Sequence, residues 1–334
     1  MSRPIDRLRD GAGSIDISDA DDPSPLQGMI STSRRLLVVK EASVHQIMMA
    51  DELDPERTDI SVPNVHQKLL AVGVNNSIVC RVLLQADVLF NHNLCPLHDA
   101  KSLLEESIQI TEIIVKMKNV SDKLSGQIND IVDKLNDIQN RPRTTIPSVP
   151  LLHYEVTEYI RYMNAIRQPL FDILFTHFKV VHKGKDIWEC IDDELSKNGD
   201  EKGEIFCAFI REIKSPLELA RLLRNAIEHP KPNNKVTIKD FRLLPGNKLV
   251  KPTIEMVHPS ASLSEMDLIE FLQATNDHFL EMCELFVVNT AQYFIDDKST
   301  IKFAIGLPQP ERRCYPETRF SYFVLLGNEW HPIS

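Results

Sequence analysis

Residues 100–140 read AKSLLEESIQITEIIVKMKNVSDKLSGQINDIVDKLNDIQN, and their apolar spacing decides the fold class expected for the chain. Leu103, Ile110, Met117, Leu124, Ile131 and Ile138 recur at seven-residue steps, with Ile114, Ile128 and Leu135 on the alternate seam. A heptad pattern of this length predicts one long helix, from about Ala100 to Asn140, that lays an apolar stripe against a partner helix. Ile113 and Val120 widen the stripe, and Ser107, Ser121 and Gly126 weaken it. An antiparallel bundle is therefore expected ahead of an isolated parallel coiled coil, the partner helix coming from this chain or from a second copy.

The flanks extend the helical expectation. Upstream, apolar residues at three- and four-residue steps over 31–54 and 63–90 predict helices, despite Gly73, and a loop follows at 91–98. Residues 1–28 are rich in Asp, Ser, Pro and Gly and are expected to be a flexible tail. Downstream, RPRTTIPSVP at 141–150 reads as a stiff, extended linker. A second helical domain is expected over 151–300, its first helix kinked at Pro169, its last helix capped by Ser262 and Glu265 and running to about Phe294. Within it, VTIKDFRLLPGNKLVKPTIEMV predicts a β-hairpin at about 234–258 with a phase slip at Asp240. Residues 301–334 form an extension with a strand around Arg319 to Leu326. The fold class expected is thus mainly α: helical bundles with one hairpin insertion and a short β-rich tail.

Composition sets limits on function. The 334 residues are 43% apolar and 26% charged, enough for two domains with cores, and 11 glycines against 20 prolines with long turn-free stretches argue against an all-β sandwich. A net charge of −10 weighs against a protein that coats nucleic acid or membranes with its whole surface. The six cysteines are scattered without a CxxC pair and are expected to be reduced thiols. With no apolar leader and no long uncharged apolar window, a cytoplasmic protein that does not enter membranes is expected.

The stretch that carries chemistry is SPLELARLLRNAIEHP at 215–230. Ser215 and Glu218 make a capping box with Pro216 at the first helical position, and Pro230 stops the helix just past His229. Arg224-Asn225-Ala226-Ile227-Glu228-His229 resembles the signature of the HEPN superfamily, helical domains in which an Arg, an adjacent polar residue and a following His form a metal-independent ribonuclease site. The resemblance covers about residues 151–300, and the hairpin is an elaboration on the plain bundle. It implies an endoribonuclease, a homodimer, and a toxin or defence role, with an antitoxin or regulatory protein as a further partner.

The residue types suit that chemistry. Cleaving RNA without metal requires a proton carrier near neutral pH and a cation for the phosphate, tasks that fall to His229 and Arg224, with Asn225 orienting phosphate or sugar. One copy supplies one histidine, whereas in-line displacement needs a base and an acid, so two motifs across a two-fold axis would complete the site. Residues 224 and 229 lie about 140° apart around a regular helix and share a cleft only if the last turn loosens.

Between Arg211 and Lys251 there are ten basic and four acidic residues, a basic island in an acidic chain, from which Arg221, Lys231 and Lys235 are expected to bind RNA. No cofactor and no metal are expected: phosphate-loop and GxSxG patterns are absent, and His92, Cys95 and His98 lack a fourth ligand. Asp192, Asp193 and Glu194 read as a solvated helix turn. The competing reading is a non-catalytic interaction or regulatory protein that docks a partner through the heptad helix, in which Arg224 only pairs with Glu228.

Overall fold

A computed structural model describes residues 3–11, 15–90, 99–136, 145–182, 186–198, 201–246, 248–295 and 301–333. In chain order the elements begin with α1 (Pro4–Arg9), β1 (Gly28–Ser31), β2 (Leu36–Val39), β3 (Val44–Met48), α2 (Ala50–Leu53) and β4 (Val65–Leu70). A π-helical turn, Val79–Leu84, leads into α3 (Gln85–Phe90), followed by α4 (Ala100–Asn136), α5 (Leu152–Ala165), α6 (Arg167–His177), α7 (Ile187–Leu195) and α8 (Glu201–Glu228). Next come β5 (Lys235–Lys239), β6 (Arg242–Leu244), β7 (Lys248–Val250), β8 (Thr253–Val257) and β9 (Leu263–Asp267). The chain ends with α9 (Leu268–Phe294), β10 (Phe303–Gly306), β11 (Ser321–Leu326) and β12 (Glu329–Pro332).

The described residues are 51% helical and 19% strand in four small sheets, so the fold is mixed α and β and the mainly α expectation is wrong. The largest error lies at 31–90, where β1 to β4 form an antiparallel meander in place of the expected helices. Runs of four to six residues do not distinguish strand from helix by spacing, and the buried polar residues Lys40 and His45 hide the period of two.

The chain forms two compact units, Met1–Thr111 with Phe286–Ser334, and Glu112–Leu285, a division at other places than the sequence suggests. In the first unit Leu37, Val38, Val39, Val44 and Ile47 build the sheet's core. Residues 15–27, expected as part of a flexible tail, are held there. Asp22 is buried and accepts from Ala42 N (3.0 Å) and Ser43 Oγ (2.5 Å), and the buried Lys40 Nζ donates to the Asp22 carbonyl. The loop after β4 also grips the β2–β3 turn, with Val74 N donating to Lys40 O and Asn75 N to Glu41 O. A Cβ at Gly73 would lie 2.2 Å from Lys40 O and 2.7 Å from Glu41 C, which explains the glycine. Gly73→Ala is expected to cost about 1–3 kcal/mol, seen as a lower urea midpoint at unchanged slope; an unchanged midpoint would show that the loop yields freely.

The three-stranded sheet β10-β11-β12 belongs to this same unit, so the expected strand in the tail is present. The fully buried Gln85 side chain fixes its approach, accepting from Arg319 N and Phe320 N and donating to Phe320 O. Tyr322 Oη donates to Leu89 O at 2.7 Å.

In the second unit the heptad stripe of α4 is buried at Met117, Leu124 and Ile128, as it is earlier at Leu103 and Ile110. Ile138 lies outside the described residues. α5 packs along α8, Tyr159 Oη donates to Leu272 O and Asn276 Oδ1 of α9, and Phe178 stacks on Phe206 at 4.5 Å. The helix is interrupted at Ile166, between α5 and α6, with Pro169 in the first turn of α6, as expected.

Both capping boxes fail. α8 runs unbroken through Ser215 with Pro216 inside it, and Glu218 accepts from Trp188 Nε1 (2.9 Å) and Arg221 Nε (2.7 Å). Ser262 precedes a strand, while Asp267 caps α9 by accepting from Ile269 N at 2.8 Å. Glu265 instead accepts from Thr253 Oγ1 and pairs with Lys239 and Arg242; these contacts, Lys239 foremost, lower its carboxyl to about 2. The hairpin turn is observed between β6 and β7, with Gly246 at φ +82°. The phase slip at Asp240 is the break between β5 and β6, and its carboxylate accepts from Val149 N.

Candidate functional site

The last turn of α8 carries Arg224, Asn225, Glu228 and His229, and the helix stays regular to its end, since His229 N donates to Asn225 O at 2.9 Å. The loosened last turn required for Arg224 and His229 to share a cleft does not occur. The Arg224 side chain is held by its own helix: its Nε pairs with Glu228 Oε2 at 2.6 Å and its Nη1 donates to Asn225 Oδ1 at 3.3 Å. No hydrogen bond joins Arg224 to His229, and His229 is exposed at the helix end.

Glu228 serves a second cation. Arg161 on α5 donates from Nε to Glu228 Oε1 at 3.1 Å and from Nη1 to Glu158 Oε1 at 2.6 Å. One carboxylate thus bridges two guanidiniums from adjacent helices. The sequence gives no sign that Arg161 meets Glu228, which lies 67 residues away; only the packing of α5 on α8 brings it there.

The basic island divides into two kinds of residue. Arg211 pairs with Asp192, Arg221 with Glu218, Lys239 with Glu255 and Glu265, and Arg242 with Glu265. Acidic residues from outside the segment therefore neutralise part of it. Lys231, Lys235, Lys248 and Lys251 are exposed and have no ion pair among the described residues, while Lys214 lies over the Trp188 ring at 5.9 Å. Of the expected RNA-binding residues, Lys231 and Lys235 remain available beyond the end of α8, and Arg221 is engaged with its own helix.

Among the described residues no group of three or more His, Cys, Asp or Glu is arranged to hold a metal ion. His92, Cys95 and His98 lie outside them. Nor is any described helix long and apolar enough to cross a membrane. Cys80, Cys190, Cys207 and Cys283 are buried free thiols and Cys314 is an exposed one.

The chain matches no protein-family profile, no curated protein and no solved structure.

Proposed function

We propose that the chain is a metal-independent endoribonuclease of HEPN type, with Arg224, Asn225 and His229 as its site residues and a second copy completing the site. The observation that carries this reading is the end of α8, where Arg224, paired with Glu228, is followed by Asn225 and an exposed His229. Arg224 neutralises the charge that builds on the phosphate oxygens, and a histidine takes the 2′-hydroxyl proton. The 2′-oxygen attacks phosphorus, the bond to the 5′-oxygen breaks, and the His229 of the second copy returns a proton to that oxygen. A 2′,3′-cyclic phosphate and a 5′-hydroxyl result. Lys231 and Lys235 hold the adjoining strand. A toxin or defence role, with a protein that restrains it, follows from the same resemblance.

The competing reading, an interaction protein, draws support from the ion pairs of Arg224 and Arg161 on a half-exposed face. Its proposed docking surface is weakened, because the α4 stripe is buried from Leu103 to Ile128 within the chain. Cleavage of single-stranded RNA that survives EDTA and leaves cyclic or 3′-phosphate ends, by a protein dimeric in light scattering, is the expected result. Activity lost to chelation and restored by magnesium, or a strict monomer at tens of micromolar that cuts at full rate, would overturn it.

A further inference from the structure

We propose that Arg161 is a second phosphate-binding residue of this site, held in place by Glu228 and Glu158 to grip the backbone of single-stranded RNA beside Arg224. The inference rests on the ribonuclease reading and adds to it a residue from another helix. Arg224 alone spends Nε on Glu228 and Nη1 on Asn225, leaving Nη2 without a hydrogen-bond partner among the described residues. Arg161 spends Nε on Glu228 and Nη1 on Glu158 and likewise leaves Nη2. The Arg161 side chain is 49% exposed and that of Arg224 is 40%, against 18% for Glu228. The carboxylate therefore sits behind the pair while both guanidiniums face solvent.

This arrangement matters for binding. A guanidinium fixed by a carboxylate on one edge loses less rotamer freedom when its other edge meets a phosphate oxygen. Arg224 presents its remaining N–H donor to the scissile phosphodiester and Arg161 presents its own to the adjoining one, charge-assisted hydrogen bonds to successive phosphates of the strand. Glu228 also keeps the like-charged pair from repelling each other apart. A residue that only bound the phosphate before and during reaction alike would strengthen binding without raising the turnover number.

The test uses the full chain and a labelled single-stranded oligoribonucleotide, 2′-O-methylated to prevent cutting, with anisotropy titrations between 50 and 200 mM salt. Arg161→Gln is expected to weaken binding about tenfold and to lower the slope of log affinity against log salt by about 0.7, the loss of one phosphate contact on a single strand. On cleavable RNA, KM should rise by a similar factor with kcat within about twofold. Arg161→Lys, which retains the charge without the fork, should keep the slope and recover part of the affinity. An Arg161→Gln protein with wild-type circular dichroism, wild-type affinity and an unchanged salt slope would overturn the inference and reduce Arg161 to a helix-to-helix ion pair. If the wild-type chain neither binds nor cuts the RNA, the ribonuclease reading itself falls and this one with it. Should Arg161→Gln fail to fold, the affinity of Arg161→Lys decides: binding weaker than wild type is expected, and a folded Arg161→Lys protein with wild-type affinity would overturn the inference.

Discussion

His229→Ala is expected to abolish RNA cleavage, with a loss of at least about a hundredfold in rate, while RNA affinity stays near that of the wild type. The ring is exposed and makes no hydrogen bond among the described residues, so the fold should be retained. Arg224→Ala should lose a comparable factor in rate and also weaken binding, because the guanidinium both holds the phosphate and meets the charge that grows on it. Asn225→Ala should cost less. The interaction-protein reading forecasts otherwise: an exposed i,i+4 pair such as Arg224–Glu228 is worth about 0.3–0.5 kcal/mol, and its removal would change nothing but the melting temperature slightly. A folded His229→Ala protein that cuts RNA at the wild-type rate would end the assignment of catalysis to this helix.

Asp22→Ala is expected to lower the stability of the first unit by about 2–4 kcal/mol, because it leaves the Ala42 amide and the Ser43 hydroxyl without their acceptor. Burial opposes the Asp22 charge, but the hydroxyls of Ser24 and Ser43 and the amides of Ala42 and Ser24 outweigh it and hold the carboxyl well below its usual range. A carboxyl depressed in the folded state adds stability that is complete above the unfolded value near 4 and is lost as pH falls toward the folded one. Wild-type unfolding by urea should therefore show a midpoint that drops in acid below about pH 4, whereas Asp22→Ala should start lower and fall less steeply. Equal midpoints for the two proteins at pH 7 would show that residues 15–27 add nothing to the sheet's stability.

What the residues made legible was long and periodic, or marked by a turn. The α4 stripe, the break before Pro169, the end of α8 ahead of Pro230 and the turn at Gly246 all stand where local chemistry puts them. The meander at 28–70 was not legible, since its strands are short and the polar Lys40 and His45 are buried, Lys40 on the Asp22 carbonyl and His45 against Ser43 and His66. Ser215 and Glu218 obey the rule for a helix start, yet Trp188 and Arg167, 30 and 51 residues away, claim the Glu218 carboxylate. A cap is worth about 1 kcal/mol, less than the packing of a 28-residue helix, and tertiary contacts prevail. At the candidate site the motif residues share the exposed end of one helix, as read; Arg161 arrives only through packing.

The Gln85 side chain bonds to the backbone of Phe320, 235 residues later. A ribosome adding about 5–20 residues per second needs roughly ten to fifty seconds to make that interval. Throughout it the side-chain amide of Gln85 and the carbonyl of Leu89, which accepts from the Tyr322 hydroxyl, lack their partners, while residues 112–285 emerge with their own unit entire. The unit made by the middle of the chain is thus the first that can be completed, and the unit that draws on both ends is completed last. A chain released short of β11 would carry a complete α8 with its Arg224 and His229 beside an unfinished first unit, exposed to proteases and chaperones.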